Sequence, residues 1–176
     1  MKKPFVYIVL ALIFTLFLVL YKHLGGFNEP AITFEPAKDY VFSGKSYMGE
    51  VTDPAVELLF SEMRKLKLEG RYNGPLVMIW FEEPETGDSP VSMFIGIEVL
   101  PNESMPENLD SIRIEMNGLV RASIKGHASV MPNPSSIVEQ IRTFAGENNY
   151  ELQDIVIDKY LSDSIIYTEI PITTTH

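Results

Sequence analysis

The pattern of apolar positions begins with an uninterrupted run near the N-terminus. Residues 4–21, PFVYIVLALIFTLFLVLY, contain no charged side chain. A helix rises about 1.5 Å per residue, so this run spans most of a bilayer core that is roughly 30 Å thick. Proline is tolerated in the first turn of a helix, which suits Pro4. The pattern therefore predicts one transmembrane helix within residues 1–24.

A cleaved secretory signal is the alternative interpretation of this run. Lys2 and Lys3 form the positive segment that precedes the apolar core of such a signal. The core is long for a signal, and the first small pair after it, Gly25 and Gly26, lacks the usual cleavage pattern. An uncleaved anchor is therefore favoured. The sequence contains no cysteine, so a lipid-modified cysteine cannot take its place.

The basic residues that flank the run predict its orientation. Lys2, Lys3 and the terminal amine precede the run, whereas Lys22 follows it. Because the more basic flank of a span stays in the cytoplasm, the N-terminus is predicted to lie inside the cell. The chain is thus expected to be a single-pass membrane protein whose soluble part is extracytoplasmic.

Small and turn-forming residues follow the anchor. Gly25, Gly26, Asn28 and Pro30 interrupt any periodic pattern, which predicts a flexible linker over residues 25–30. Residues 31–176 then have the length of one ordinary domain.

The first half of this domain reads as β-α-β-β. A strand is predicted at 40–48, and Asp53 with Pro54 forms a helix start. Two β-rich runs follow at 76–81 and 93–100, joined by an acidic turn-forming stretch. The helix between them has apolar residues at helical spacing, namely Val56, Leu59, Phe60, Met63 and Leu66.

The second half repeats the order. A strand is predicted at 119–128, a helix start at Asn133 with Pro134, and strands at 154–161 and 165–172. The helical stripe, Ile137, Val138, Ile141 and Phe144, lies 78 residues after that of the first half.

A repeated β-α-β-β order predicts an α+β domain with an antiparallel sheet and two helices on one face. The two halves are then related by pseudo-symmetry, and a cleft is expected where they meet. An α+β fold with unrelated halves is the alternative.

Charge and motifs exclude several classes of chemistry. The chain after Lys22 has 24 acidic and 11 basic residues, a formal charge of −13, which makes nucleic acid an improbable partner. The three histidines, His23, His127 and His176, form no metal-binding pattern, and His127 is interpreted as structural. No phosphate-binding or nucleophile motif is present. No cofactor is therefore expected.

The C-terminal stretch carries a family resemblance. Asp158, Lys159 and Tyr160 place a tyrosine two positions after an acidic residue, and residues 167–172, YTEIPI, end a strand with T-E-I and P-I. With the duplicated order, residues 31–172 resemble the GyrI-like family. This small-molecule-binding domain also forms the effector-binding half of AraC-type and multidrug-sensing regulators. The family usually has glutamate at the position of Asp158.

The resemblance implies a cleft in which the acidic residue, lined by aromatic rings, attracts cationic ligands. Strand alternation places Asp158 and Tyr160 on one face of the sheet. Val156 points to the same face, and the repeat offset makes Met78, Trp80 and Glu82 the counterparts of Val156, Asp158 and Tyr160. Trp80 is thus expected to face Asp158 across the pseudo-dyad.

Two further carboxylates, Glu98 and Glu169, are weaker candidates for the cleft because they lie in the final strands of the two halves. Each candidate has a structural alternative. Trp80 is equally explained by core packing, Asp158 by a solvated strand end, and Glu169 by an exposed strand position.

The predicted function is binding of a small molecule, possibly cationic, by a membrane-anchored sensor or sequestering domain. One alternative is hydrolysis of a reactive small molecule with Asp158 as general base, as in some members of the family. Another is a membrane-tethered adaptor that binds an unknown protein through the acidic residues Glu82, Glu83, Glu85 and Asp88. Direct control of transcription is not expected.

Overall fold

The chain folds into one antiparallel sheet with two helices on one face and a third helix at the N-terminus. The computed structural model describes residues 3–36, 38–81, 90–101, 103–105 and 108–173. The elements in chain order are α1 (Lys3–His23), β1 (Ala31–Pro36), β2 (Tyr40–Gly49), α2 (Pro54–Leu68), β3 (Leu76–Trp80), β4 (Val91–Glu98), β5 (Asp110–Ile114), β6 (Gly118–Lys125), a short 3₁₀ helix (Ala128–Val130), α3 (Pro134–Glu147), β7 (Val156–Ser162) and β8 (Ile165–Pro171).

The N-terminal helix α1 is long and apolar enough to cross a membrane. Its window Val6–His23 has a mean hydropathy of 2.1, and none of this window is buried against the rest of the chain. A signal sequence has the same properties at this end of a chain. The helix is thus a candidate membrane span or signal.

Both sheet-packing helices begin with the predicted caps. The Asp53 carboxylate accepts a hydrogen bond from the amide of Ala55 at 2.8 Å, and the Asn133 side chain accepts one from Ser135 at 3.1 Å. A proline follows each cap and needs no partner for its missing N–H. The same local device therefore starts the helix of each half.

The strand order shows the duplication and two strands that the sequence pattern did not reveal. The eight strands lie in the order β1-β6-β8-β7-β3-β4-β2-β5. The predicted units, β2-α2-β3-β4 and β6-α3-β7-β8, meet where β3 pairs with β7. The additional strands β1 and β5 form the edges. Strand β1 precedes the first half in the chain but pairs with β6 of the second half, and β5 precedes the second half but pairs with β2 of the first half. These exchanged edges tie the two halves together.

Strand alternation divides the core between the two faces of the sheet. Helix α2 packs on β2, β3 and β4, and α3 packs on β1, β6 and β8. In β4, for example, Met93, Ile95 and Ile97 lie under α2, whereas Phe94 lies on the other face. The predicted α+β architecture is confirmed.

The face opposite the helices is concave. Tyr40 of β2 and Leu119 of β6 share a buried cluster although four strands separate β2 from β6 in the sheet. Strands β6 and β5 are six places apart in the sheet, about 29 Å if it were flat, yet only residues 115–117 connect Ile114 to Gly118, so the sheet must curl. Gly44 and Gly96 are directly paired in β2 and β4, and a Cβ on either would collide with the backbone of the other strand. The paired glycines thus allow the backbones of β2 and β4 to approach each other closely.

The segment between α1 and the sheet is bonded to the domain, in contrast to the predicted flexible linker. The carbonyl oxygen of Leu24 accepts a hydrogen bond from the His127 amide at 2.9 Å. The Asn28 side chain donates to the carbonyl oxygen of Lys125 at 2.9 Å. These bonds satisfy backbone groups at the last residue of β6 and just beyond it, where the ladder ends.

Replacement of Asn133 should measure how much the cap of α3 contributes to the stability of the domain. Because Asn133→Ala leaves an amide at the start of α3 without its partner, we expect a loss of about 1 kcal/mol in the free energy of unfolding. Chemical denaturation in detergent, followed by Trp80 fluorescence, would measure it. The exposed mid-helix change Gln140→Ala is the control, and an equal loss in both variants would contradict the capping role.

Candidate functional site

A cleft lies between α2 and α3, over strands β7 and β8. Asp158 and Tyr160 of β7 and Thr168 of β8 form part of its floor, because alternate residues of each strand point towards the helices. Ile137 of α3 and Phe60 of α2 lie on its two sides. The cleft therefore lies at the junction of the two halves.

Asp158 receives two hydrogen bonds from neutral groups. The indole N–H of Trp80 donates to Oδ2 at 3.0 Å, and the hydroxyl of Thr168 donates to Oδ1 at 2.7 Å. Trp80 comes from the first half of the chain and the other two residues from the second. The structure thus brings Trp80 and Asp158 into direct contact across the pseudo-dyad.

Burial raises the pKa of both titratable groups on this floor. Desolvation raises the pKa of Asp158, while the hydrogen bonds from Thr168 and Trp80 act in the opposite direction without cancelling it. The pKa of Tyr160 is also raised, first by burial and then by the charge of Asp158. A partly desolvated carboxylate with neutral donors gains from a cation or a further donor.

Two adjoining cavities occupy the cleft. The inner cavity, of about 350 Å³, is lined by Asp158 and Thr168 and by the segment that leads into α3. The outer cavity, of about 690 Å³, is lined by Phe60 and Leu68 of α2 and by the β7–β8 hairpin. Met131, Tyr160 and Ile166 line both, so the two cavities adjoin at these side chains.

Aromatic rings lie between the inner and outer cavities. Phe60 and Tyr160 pack edge to face with their ring centroids 5.1 Å apart. Trp80 and Met78 lie on the same sheet face, packed with the core. Among the described residues that line these two cavities, Tyr160 and Phe60 supply the rings, whereas Trp80 approaches Asp158 from the side.

The two weaker candidates, Glu98 and Glu169, lie on the opposite, concave face. Glu169 is paired with Ile157 across the β7–β8 hairpin, and Ile157 belongs to the concave core. Glu98 follows the buried Ile97 of the helix face and therefore points away from it. Their assignment to the same cleft as Asp158 is corrected on this geometry, and Glu169 is fully buried rather than exposed.

A buried charge network surrounds these two carboxylates. The Lys159 ammonium lies 2.9 Å from Glu98 and 3.0 Å from Glu169, and it stands 3.2 Å from the ring centre of Tyr40. Arg121 donates from Nε to Glu169 at 2.8 Å. A third cavity, of about 360 Å³, borders this network.

Desolvation and charge pairing compete within this network. Burial lowers the pKa of Arg121, but Glu169 outweighs that effect and leaves it above its usual value. The pKa of Tyr40 is raised, first by burial and then by the charges of Glu169 and Glu98. Each buried charge here has an opposite charge in contact, which is the arrangement of a structural network.

Thr168 and Lys159 are the residues that the sequence reasoning did not assign. Thr168 alternates with Ile170 in β8, so the spacing within T-E-I already places it on the face opposite Glu169. For Lys159, strand alternation predicts only that it points away from Asp158. The acidic residues Glu82, Glu83, Glu85 and Asp88 lie outside the described residues. In the described part of the chain, no group of three or more His, Asp or Glu side chains is arranged to hold a metal ion.

Comparison with known proteins identifies the fold. No protein-family sequence model matches the chain, and no curated protein sequence does either. The C-terminal domain of EcmrR matches over 84% of this chain and 98% of its own, with 11% identity and a TM-score of 0.51. EcmrR in a DNA complex matches over 84% of this chain and 58% of its own, with 11% identity and a TM-score of 0.54. This chain has the GyrI-like fold.

A hydrolase from Listeria innocua shares this GyrI-like fold. It matches over 87% of this chain and 98% of its own, with 15% identity and a TM-score of 0.51. Identities this low establish the architecture alone. The roles of the cleft residues must therefore be inferred from their own contacts.

The charge network predicts that substitution of a buried charged residue lowers the free energy of unfolding much more than substitution of an exposed one. Because Glu169→Gln leaves Lys159 and Arg121 buried with less compensating charge, we expect a loss of roughly 3 to 5 kcal/mol in the free energy of unfolding. Lys38→Met removes an exposed lysine that lies 3.3 Å from Glu98, and should cost less than about 1 kcal/mol. Chemical denaturation of both variants in detergent measures the difference. Similar losses would show that burial does not determine the effect.

Proposed function

We propose that this chain is a membrane-anchored sensor or sequestering protein whose GyrI-like cleft binds a cationic or planar small molecule. The observation that carries the proposal is the Asp158 carboxylate, which borders a cavity and contacts neutral donors. A cation that enters the cavity adds the opposite charge that these donors do not supply. The ligand class thus follows from the contacts of one carboxylate.

The rings of Tyr160 and Phe60 support the same ligand class. Ring faces attract cations and stack on planar groups, and both rings line the outer cavity. In this proposal Tyr160 contacts the ligand directly. Trp80 and Met78 position the carboxylate and its strand, while Glu98 and Glu169 have no part because they lie across the sheet.

The carboxylate retains capacity for a ligand. An ionised carboxyl group has about four acceptor positions, and Trp80 and Thr168 occupy one on each oxygen of Asp158. A ligand can therefore bind without displacing either donor. The two donors also hold the side chain in one orientation, which lowers the entropy lost on binding.

Hydrolysis is the second candidate function, favoured by the raised pKa of Asp158. A general base is most effective when its pKa approaches the working pH, and burial shifts Asp158 in that direction. The fold shared with a hydrolase from Listeria innocua is compatible with this chemistry. Release of a hydrolysed product from a reactive ester or epoxide, abolished by Asp158→Asn, would favour turnover over binding.

The anchor completes the proposal. Helix α1 has the length and hydropathy of a membrane span. The charges before and after it favour a cytoplasmic N-terminus. The GyrI-like domain would then sample the extracytoplasmic side of the membrane.

The role of Asp158 is tested by removal of its charge at nearly constant shape. Asp158→Asn should weaken binding of a cationic aromatic dye by about 1 to 3 kcal/mol, because one charge-assisted interaction is lost. A neutral analogue of the dye should lose much less. Calorimetric titration of the full chain in detergent provides both affinities.

The matched control is Asp154→Asn, which removes an exposed carboxylate just before the same strand. Equal effects of the two variants would mean that only long-range charge acts on the dye. An unchanged affinity in Asp158→Asn would remove the basis of the proposed ligand class.

The predicted orientation is tested with a reporter fused after His176. We expect activity only outside the cytoplasm, because the basic residues lie mainly before the span. Moving the lysines from positions 2 and 3 to the region of Leu24 should shift the signal towards the inside. A signal from the cytoplasm alone in the unaltered chain would reverse the orientation.

A further inference from the structure

The membrane helix and the cleft meet at one end of strands β6, β7 and β8. The Leu24 carbonyl, just after α1, accepts a hydrogen bond from the amide of His127 at 2.9 Å. The neighbouring amide of Gly126 donates to the carbonyl oxygen of Ser164 at 3.0 Å, in the turn between β7 and β8. The end of α1 is therefore joined through two hydrogen bonds to the β7–β8 hairpin.

The outer cavity opens at this same end of the strands. Its lining includes His127, which is bonded to the end of α1, and Ser162 and Asp163 of the hairpin. If α1 spans a bilayer, its last turn at His23 lies at the lipid headgroups. The mouth of the cleft then faces the membrane interface.

The mouth has exposed apolar side chains. Leu68, at the end of α2, is 78% exposed, and Leu161, near the end of β7, is 39% exposed; both line the outer cavity. Exposed leucines at the mouth of a ligand cavity provide apolar surface for a ligand. Inside the mouth the walls continue with Phe60 and Tyr160.

The distance from mouth to carboxylate is that of a short hydrocarbon chain. Asp158 and Ser162 are four positions apart on β7, which corresponds to about 13 Å at 3.3 Å per residue. Tyr160 and Met131 line both the inner and the outer cavity, so a path between these positions runs past these two side chains. It passes from an anionic group at the inner end to leucines at the outer end.

We propose that the ligand is an amphiphilic cation taken from the bilayer, bound with its charged end at Asp158 and its apolar chain directed along Tyr160 and Leu161 towards the lipid. This inference rests on the proposed function of the same cleft. It adds the amphiphilic character of the ligand and the route by which it enters.

The orientation of amphiphiles in a membrane suits this path. Their charged ends lie at the headgroup level and their chains in the hydrocarbon core. A cation at the interface thus meets the mouth with its charged end first. Its chain remains on the membrane side while the charge moves inward to Asp158, so the molecule need not turn over.

The test uses the full chain in phosphatidylcholine vesicles and two pyridinium cations that quench tryptophan. N-decylpyridinium partitions into the bilayer, whereas N-methylpyridinium stays in water. Quenching of Trp80, which contacts Asp158, reports arrival at the inner cavity. Stopped-flow measurement gives the association rate of each cation.

An insertion separates the membrane route from the aqueous one. Twenty Gly/Ser residues between His23 and Leu24 keep the contacts of Leu24 and Asn28 but move the domain about 25 Å from the lipid. We expect association of N-decylpyridinium to slow about tenfold, with no change for N-methylpyridinium. The same residues appended after His176 are the control. Unchanged association of N-decylpyridinium in the inserted chain would overturn the proposed route.

A pair of leucine variants tests the apolar path. Leu68→Ser should lower the affinity for N-decylpyridinium about three- to tenfold, because chain contacts at the mouth are lost. Leu58→Ser alters a leucine of the same helix that is 70% exposed, and should have no effect. Equal effects of the two variants would overturn the path. If neither cation quenches Trp80 in the unaltered chain, the proposed binding function itself fails.

Discussion

A single buried ammonium group, that of Lys159, contacts side chains from three other strands inside the concave face of the sheet. Lys159 of β7 contacts carboxylates from β4 and β8 and the ring of Tyr40 from β2. In a flat sheet, β7 and β2 would be about 14 Å apart, since two strands lie between them. Charge pairing inside the concave face therefore requires the curl. The opposite face is then convex, and the cleft lies on it between the two helices.

Adjacent residues of β7 consequently have different roles. Lys159 points into the concave face and is surrounded by opposite charge, as buried structural ions must be. Asp158 points to the convex face, where its two hydrogen-bond donors are neutral. The carboxylates Glu98 and Glu169 have cations in contact and are accounted for by the fold. Neither of these two contacts supplies an opposite charge to Asp158, which is why we propose a cationic ligand.

Periodicity predicted the parts of this structure that depend on local sequence. The caps at Asp53 and Asn133 and the helical stripes need only neighbouring residues, and the 78-residue offset placed Trp80 beside Asp158. The edge strands β1 and β5 were missed because each pairs far along the chain, with β6 and β2. The face of Glu169 depends on the register of the β7–β8 hairpin, which contains an irregularity after Tyr160. A slip of one residue reverses the face, so spacing alone could not decide it.

The exchanged edge strands restrict how the cleft can respond to a ligand. Each half contributes an edge strand to the other, so the halves cannot separate about a hinge without breaking the β1–β6 or β2–β5 ladder. Adaptation is then confined to segments outside the sheet, chiefly the 3₁₀ helix and the residues that lead into α3. These segments include Met131, which lines both cavities. In the proposed binding mode, the carboxylate stays fixed by Trp80 and Thr168, and the flexible side chain of Met131 adapts to the shape of the ligand.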